Sequence, residues 1–314
     1  MMGEIPYIII GGPTATGKTA AAVELALLIG GEVISADSMQ VYKYMDIGTA
    51  KPTAEEMKGV PHRLIDELYP DEPYSAYEFK KRAASYAADA RSRGKYPIIC
   101  GGTGFYTNAL INGTDFSDIS PDIEFRGELY SLAEQDGAEA LHRQLASCDP
   151  KAAEEIHPNN IKRVIRALEY FKQTGTPISA HNIKERQKTP ENAKIAILST
   201  DRHLLYNRIN KRVDVMLEAG LEAEVRGLLK CGYAPGLVSM QGLGYKEIIR
   251  YINGLYSLDD AAEAIKTGTR HYAKRQLTWF TRQIYPDNVS WYDISDFNDH
   301  KQLAERIARE LYLL

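Results

Sequence analysis

Gly12-Pro13-Thr14-Ala15-Thr16-Gly17-Lys18-Thr19 matches in full the pattern G-x-x-x-x-G-K-[ST], whose residue types are suited to gripping the phosphates of a ligand. The glycines let the backbone curl so that its N–H groups point inward. Lys18 then reaches phosphate oxygens, and the Thr19 hydroxyl suits a magnesium ion. A second group is the carboxylate of Asp37, within Val33-Ile34-Ser35-Ala36-Asp37-Ser38-Met39-Gln40. It suits a general base toward an acceptor, a magnesium partner, or the N-cap of a helix, and position alone leaves these readings level. The third is Cys100-Gly101-Gly102-Thr103-Gly104, a hydroxyl among glycines. A Walker-type ATPase carries an acidic residue at that point, so this turn weighs against ATP hydrolysis. Taken alone, so small a motif is better explained as a tight strand-to-helix turn.

These groups need elements to position them. Tyr7–Ile10, Glu32–Ser35, Tyr96–Cys100 and Lys194–Leu198 are apolar runs that read as buried parallel strands, the first three separated by helical stretches. The expected fold is α/β, a P-loop NTPase-like parallel sheet flanked by helices. In such a sheet ligands sit beyond the carboxyl ends of the strands, which brings Asp37 to the same crevice as the phosphate loop. Residues 116–192 are more polar and helical, and read as a helical insertion into a catalytic core of residues 1–115 and 193–314. From Asp201 onward the pattern reads as several helices, broken at Gly242-Leu243-Gly244.

The 314 residues carry 44% hydrophobic and 25% charged residues, the balance of a soluble globular protein. No apolar run approaches the roughly 18 residues of a membrane span, and no signal peptide is read at the start. Cys100, Cys148 and Cys231 are too scattered for a disulfide framework or a cysteine-rich zinc site, and they suit a reducing cytoplasm. The net charge of −4 does not by itself suggest a nucleic-acid partner, so local clustering decides.

Two basic stripes stand out. From Ala264 to Pro286 there is no acidic residue, while Arg270, Lys274 and Arg282 step along one helical face and Arg275 lies beside them. Ala273, Leu277, Phe280 and Ile284 line the opposite, apolar face. Lys162, Arg163 and Arg166 form the second stripe. Trp279 and Tyr272 suit base stacking or plain packing, with packing favoured for Trp279. A further helix, Leu204–Leu217, puts Arg208 and Arg212 on one face for a bidentate grip on phosphate; solvated surface arginines remain the plainer reading.

Together the blocks GPTATGKT, ISADSMQVYKYMDIGTAKPT (Ile34–Thr53), VPHRLID (Val60–Asp66), GGTGFY (Gly101–Tyr106), IKRVIRALE (Ile161–Glu169), DRHLLYNRINKRVDVMLEAGL (Asp201–Leu221), GLGYKE (Gly242–Glu247) and TRHYAKRQLTWF (Thr269–Phe280) resemble the tRNA dimethylallyltransferase family, bacterial type. They run nearly end to end and are far more specific than the phosphate loop alone. The resemblance implies that the loop, Gly12 to Thr19, holds the diphosphate of dimethylallyl diphosphate with Mg2+ and without ATP turnover. The dimethylallyl group would pass to the exocyclic amine of the adenosine just 3′ of the anticodon. Asp37 is implied as the base at that amine, Thr103 and Arg126 near the transferred group or flipped base, and Arg208 and Arg212 at the diphosphate. Contacts to the anticodon stem-loop are implied for Asp37, Ser38, Met39, Gln40 and Thr103, and for Ile161, Lys162, Arg163, Val164, Ile165 and Arg166. A cytoplasmic monomer is expected.

The chemistry asks for the same parts. Breaking the allylic C–O bond leaves negative charge on diphosphate, which the helix end, Lys18 and magnesium stabilise. Adenine's amine is a weak nucleophile that benefits from a base, and a stacked adenosine must be splayed out to reach it. Three alternatives remain at this level: a P-loop kinase, a free-nucleotide isopentenyltransferase, and a non-enzymatic RNA-binding module. Stabilisation by ATP would mark the first and indifference to an anticodon stem-loop the second. The third leaves the phosphate loop beside Asp37 unexplained.

Overall fold

Tyr7-Ile8-Ile9-Ile10 are buried on both faces, as a central parallel strand requires. In the computed structural model, which describes residues 5–111, 122–181, 192–283, 289–311 and 313, they belong to β1 (Tyr7–Gly11). The sheet has six parallel strands in the order β3-β2-β4-β1-β5-β6. The other strands are β2 (Gly31–Ser35), β3 (His62–Arg63), β4 (Tyr96–Cys100), β5 (Ala193–Ser199) and β6 (Val289–Asp293).

The four apolar runs form β1, β2, β4 and β5. The two outermost strands, β3 and β6, are additions to that four-strand reading, and β6 lies where only helices were expected. Both are edge strands and need no continuous apolar run. β3 is two polar residues paired with Val33 and Ile34. In β6 only Tyr292 is buried while Trp291 faces outward, a pattern too short to read as a strand.

Register sets the site. Ile10 and Ser35 both pair with Cys100, so β1, β2 and β4 end level. The chain leaves them as the phosphate loop, the Asp37 turn and the glycine turn respectively. Along one face of the sheet run α1 (Lys18–Ile29) and the C-terminal helix His300–Glu310, whose Leu303, Ala304 and Ile307 join the core around Ile8 and Leu25. The other face is covered by α3 (Ala76–Ser92), α4 (Gly104–Ile111) and Phe280, in the core around Ile9 and Phe79. α2 (Ala54–Met57) is a short helix closed by a capping box from Thr53 and Glu56.

The chain divides into two compact units, residues 1–111 with 191–314, and residues 112–190. The second contains α5 (Ile123–Asp136), α6 (Ala138–Cys148), α7 (Pro150–Glu155) and α8 (Ile161–Thr174), packed on Leu141, Leu145, Val164 and Ile165. The first also holds α9 (Arg202–Glu218), α10 (Leu221–Lys230), α11 (Tyr245–Ile252) and the 26-residue α12 (Leu258–Gln283), which share a further core around Tyr245 and Ile248. The C-terminal helix His300–Glu310 is α13. Ile284 falls outside the described residues.

Candidate functional site

The phosphate loop begins where β1 cannot continue. Gly12 has φ +136°, and a Cβ there would lie 2.3 Å from the Leu198 carbonyl oxygen, so no other residue fits. Thr16 is buried and donates to the Pro13 carbonyl at 2.9 Å, tying the loop to itself. Gly17, at φ 78°, opens α1 without a side-chain cap, which leaves the first N–H groups of the helix for a ligand. The Lys18 ammonium folds over the loop and donates to Pro13 at 2.7 Å. Burial lowers its pKa to about 8; Cys100 and Asp37 oppose the shift and Arg212 adds to it.

Asp37 sits two residues past the end of β2. Its Oδ1 accepts from Met39 N at 2.8 Å and, more weakly, from Gln40 N at 3.4 Å, so the turn-capping reading holds for that oxygen. Oδ2 has no hydrogen-bond partner among the described residues, and Asp37 lines a cavity of about 890 Å³. One oxygen thus caps the turn while the other is left out of it, at the cavity. Thr14, Gly17, Lys18, Thr19, Arg208 and Arg212 line the same cavity.

Arg212 reaches the loop directly, donating to the Thr14 hydroxyl at 3.0 Å, and burial lowers its pKa. Arg208 is exposed and lines the cavity without such a bond. Gln40 also lines the cavity, but its amide is spent internally. It accepts from Ser35 Oγ at 3.0 Å and donates to the Thr49 and Ala50 carbonyls. Met39 is half-buried against Gly242, and Ser38 beside it in the chain is half-buried too.

Protein atoms explain the glycines after β4. A Cβ on Gly101 would meet the Ala36 carbonyl oxygen at 2.3 Å, one on Gly102 the Gln276 amide at 2.0 Å, and one on Gly104 the Trp279 ring at 1.9 Å. The turn thus lets α12 approach the sheet, and Trp279 packs there, edge-on to Phe280. The buried Thr103 hydroxyl lies beside the Tyr272 phenol without a hydrogen bond of good geometry among the described residues, which leaves it able to meet a ligand group as well. Near it, the Tyr272 phenol is pushed up to about 12 by burial and by Asp37. Cys100 is buried and raised to about 11, which makes it a poor nucleophile.

Three contributors escaped the sequence reading. Gln276 bridges the phosphate loop and the glycine turn, accepting from Thr14 N at 2.9 Å and donating to the Gly102 carbonyl at 2.9 Å. Its signal was a polar residue on the apolar face of α12, between Ala273 and Phe280. Glu224 accepts from the backbone N–H groups of Asp46, Ile47 and Gly48 and from the Tyr245 hydroxyl, which fixes a loop that lines the cavity. His300 also lines the cavity, and no sequence signal marked it.

The basic residues separate by exposure. Lys274, Arg275 and Arg282 are exposed on α12, whereas Arg270 is half-buried and pins helices together, donating to Asn210 Oδ1 at 2.7 Å and to Thr267. In the helical unit Lys162 and Arg163 are exposed. Val164 and Ile165 are buried in its core and Ile161 packs against it, as the apolar stripe needed to fold α8 requires. Arg126 forms a two-pronged bond with fully buried Glu169, at 2.8 Å from both Nε and Nη2, and Arg166 joins at 2.9 Å. Burial raises the Glu169 pKa, but these arginines and the Asp122 N–H outweigh it and hold the carboxyl below its usual range.

No group of three or more His, Cys, Asp or Glu residues suited to a metal occurs among the described residues. Nor is any described helix long and apolar enough to cross a membrane.

A model of the IPP transferase family matches residues 40–283, and one of isopentenyl transferases matches residues 5–69. A tRNA dimethylallyltransferase of Lachnoclostridium phytofermentans is 50% identical over 307 residues, covering 98% of this chain and 97% of its own. One from Acetivibrio thermocellus is 51% identical over 301 residues, covering 96% and 95%. Among solved structures, a tRNA isopentenylpyrophosphate transferase from Bacillus halodurans aligns with TM-score 0.72 and 44% identity over 98% of this chain and 97% of its own. A eukaryotic dimethylallyltransferase acting on tRNA aligns with TM-score 0.84 and 30% identity over 96% and 77%.

Proposed function

The chain belongs to the tRNA dimethylallyltransferase family and is a prenyltransferase that acts on tRNA, and we propose that its donor is dimethylallyl diphosphate and its acceptor the N6 amine of the adenosine 3′-adjacent to the anticodon. The observation that carries this reading is the shared cavity: phosphate loop, Arg212 and Asp37 carboxylate face one space. The loop N–H groups and Lys18 take the diphosphate as a leaving group, with Arg212 beside them. The stabilisation matters most as the allylic C–O bond breaks and charge grows on oxygen. Asp37 Oδ2 takes the amine proton as the N–C bond forms. Its Oδ1 meanwhile holds the turn, which fixes the base in place.

Magnesium suits the donors present. Thr19 offers a hard hydroxyl oxygen at the cavity and would hold a magnesium ion together with the diphosphate. When bound, the ion neutralises charge developing on the leaving group. The absence of an acid after β4 leaves nothing there to prepare a water, which favours transfer over hydrolysis.

The exposed Lys162, Arg163, Lys274, Arg275 and Arg282 supply phosphate contacts to the anticodon stem-loop, which makes the helical unit of residues 112–190 a partner in RNA binding. Incubation with labelled dimethylallyl diphosphate, magnesium and unmodified tRNA tests the proposal. Label should enter the tRNA at one adenosine. Label that enters free adenosine monophosphate instead, or no RNA at all, overturns the acceptor assignment.

A further inference from the structure

His300 is the first residue of α13, and its ring lies against the phosphate loop. A Cβ built on Gly17 would fall 2.4 Å from His300 Nε2. The imidazole thus fills the space left by the missing side chain at the residue that opens α1. It also forms part of the wall of the cavity that holds Lys18 and Arg208. No described residue hydrogen-bonds the ring. Anchoring does not require it, because Leu303, Ala304, Ile307 and Ala308 already bury α13 against the sheet core. The groups facing the ring are Arg208 from α9, Glu24 from α1, Lys58 beyond α2 and Asp299 in its own turn. Burial, then Arg208, lowers its pKa, with Lys58 adding and Asp299 and Glu24 opposing.

We propose that His300 is a further diphosphate-binding residue, donating from Nε2 to an oxygen of the leaving diphosphate at the phosphate loop. The inference rests on the reading of that loop as a diphosphate site. With the proton on Nε2, a neutral ring donates to the anion, and growing negative charge on the leaving group strengthens the bond.

Calorimetric titration of the full chain with inorganic diphosphate and magnesium tests this in the native protein, His300→Phe and His300→Gln. Phenylalanine keeps the ring and removes the donor, whereas glutamine keeps a donor of similar reach. His300→Phe should bind roughly tenfold more weakly, the loss of one hydrogen bond to a charged group, with Tm unchanged before ligand is added. His300→Gln should recover most of that loss. Native affinity in His300→Phe overturns the proposal, and so does an equal loss in both variants, which marks a packing role. The native protein provides a second reading: the His300 ring nitrogen resonances should move on addition of diphosphate, and unmoved resonances overturn the assignment. A native protein that does not bind diphosphate overturns the loop reading itself, and a native protein that binds with His300 indifferent overturns only this one.

Discussion

The guanidinium of Arg212 donates to the Thr14 hydroxyl at 3.0 Å, joining the middle of α9 to a phosphate loop 198 residues earlier in the chain. Two arginines four residues apart share the helix face, yet only this one touches the loop. Arg208 lines the cavity from an exposed position. A grip on a leaving group works best when it is already in place, because no reorganisation is then needed as charge develops.

Arg212→Ala is accordingly expected to lower kcat on the order of 10²–10³-fold, the scale of one preorganised donor at a developing anion. Arg208→Ala, an exposed cation, should cost about tenfold or less. Steady-state kinetics with both substrates check the order, and equal losses would remove the special role of the Thr14 contact.

Asp37→Asn separates chemistry from structure. The amide oxygen can still accept from Met39 N while the proton acceptor is gone, so kcat should fall roughly 10²–10⁴-fold with tRNA affinity and Tm nearly native. Asp37→Ala should lose the same activity and a further ~1 kcal/mol of stability through the lost turn cap. If Asp37→Asn weakens tRNA binding as much as it slows transfer, the residue is not acting as the base.

Lys18 carries a sign that can be worked out. Its pKa in the free protein is lowered to about 8, and diphosphate favours the charged ammonium, so binding raises that value. Affinity for diphosphate contributed by Lys18 is then level below about pH 8 and declines as pH rises above it. Lys18→Arg, always charged, should remove this decline relative to the native protein, as titrations between pH 7 and 10 will show.

Gln276→Leu leaves the buried Gly102 carbonyl and the half-buried Thr14 N–H without their partner, at a cost of about 1–3 kcal/mol. Thermal unfolding should register this as a lower Tm. Diphosphate binding should weaken as well, since the loop loses its tie to α12. A stable variant with native affinity would show that the bridge is dispensable.

Arg163→Glu and Lys274→Glu alter exposed residues of the two basic stripes. Each should weaken tRNA binding and lower the slope of log affinity against log salt by about 1. Transfer to saturating tRNA should be little changed. An affinity that ignores salt in the native protein would undo the phosphate-contact reading altogether.

The loop conformation of residues 12–19 is legible because its determinants are local: glycine dihedrals, a helix start and a lysine at fixed spacing lie within eight consecutive positions. Asp37 is legible by the same logic, since a carboxylate just past a buried strand must emerge at the ligand edge of a parallel sheet. The stripe of Leu205, Ile209 and Val213 likewise marks the buried face of α9 at helical spacing. Edge strands β3 and β6 left no such trace, because half-exposed pairing with one neighbour imposes little on composition. In α8 the sequence shows both basic and apolar residues; only packing assigns Val164 and Ile165 to the core and leaves Lys162 and Arg163 outside.

The sequence by itself thus determined the local parts: a glycine loop at a helix start, a carboxylate at a strand end, a turn without the ATPase acid, and helices with one basic face. Tertiary structure decided which distant groups complete them. It chose Arg212 over Arg208 for the Thr14 contact, spent the Gln40 and Gln276 amides on backbone, tied Arg126 to Glu169, and set the His300 ring against Gly17. The reason is physical. Backbone conformation and helix periodicity are dictated by residues a few positions apart, whereas the partner of a long polar side chain depends on which elements the core brings within about 3 Å of it.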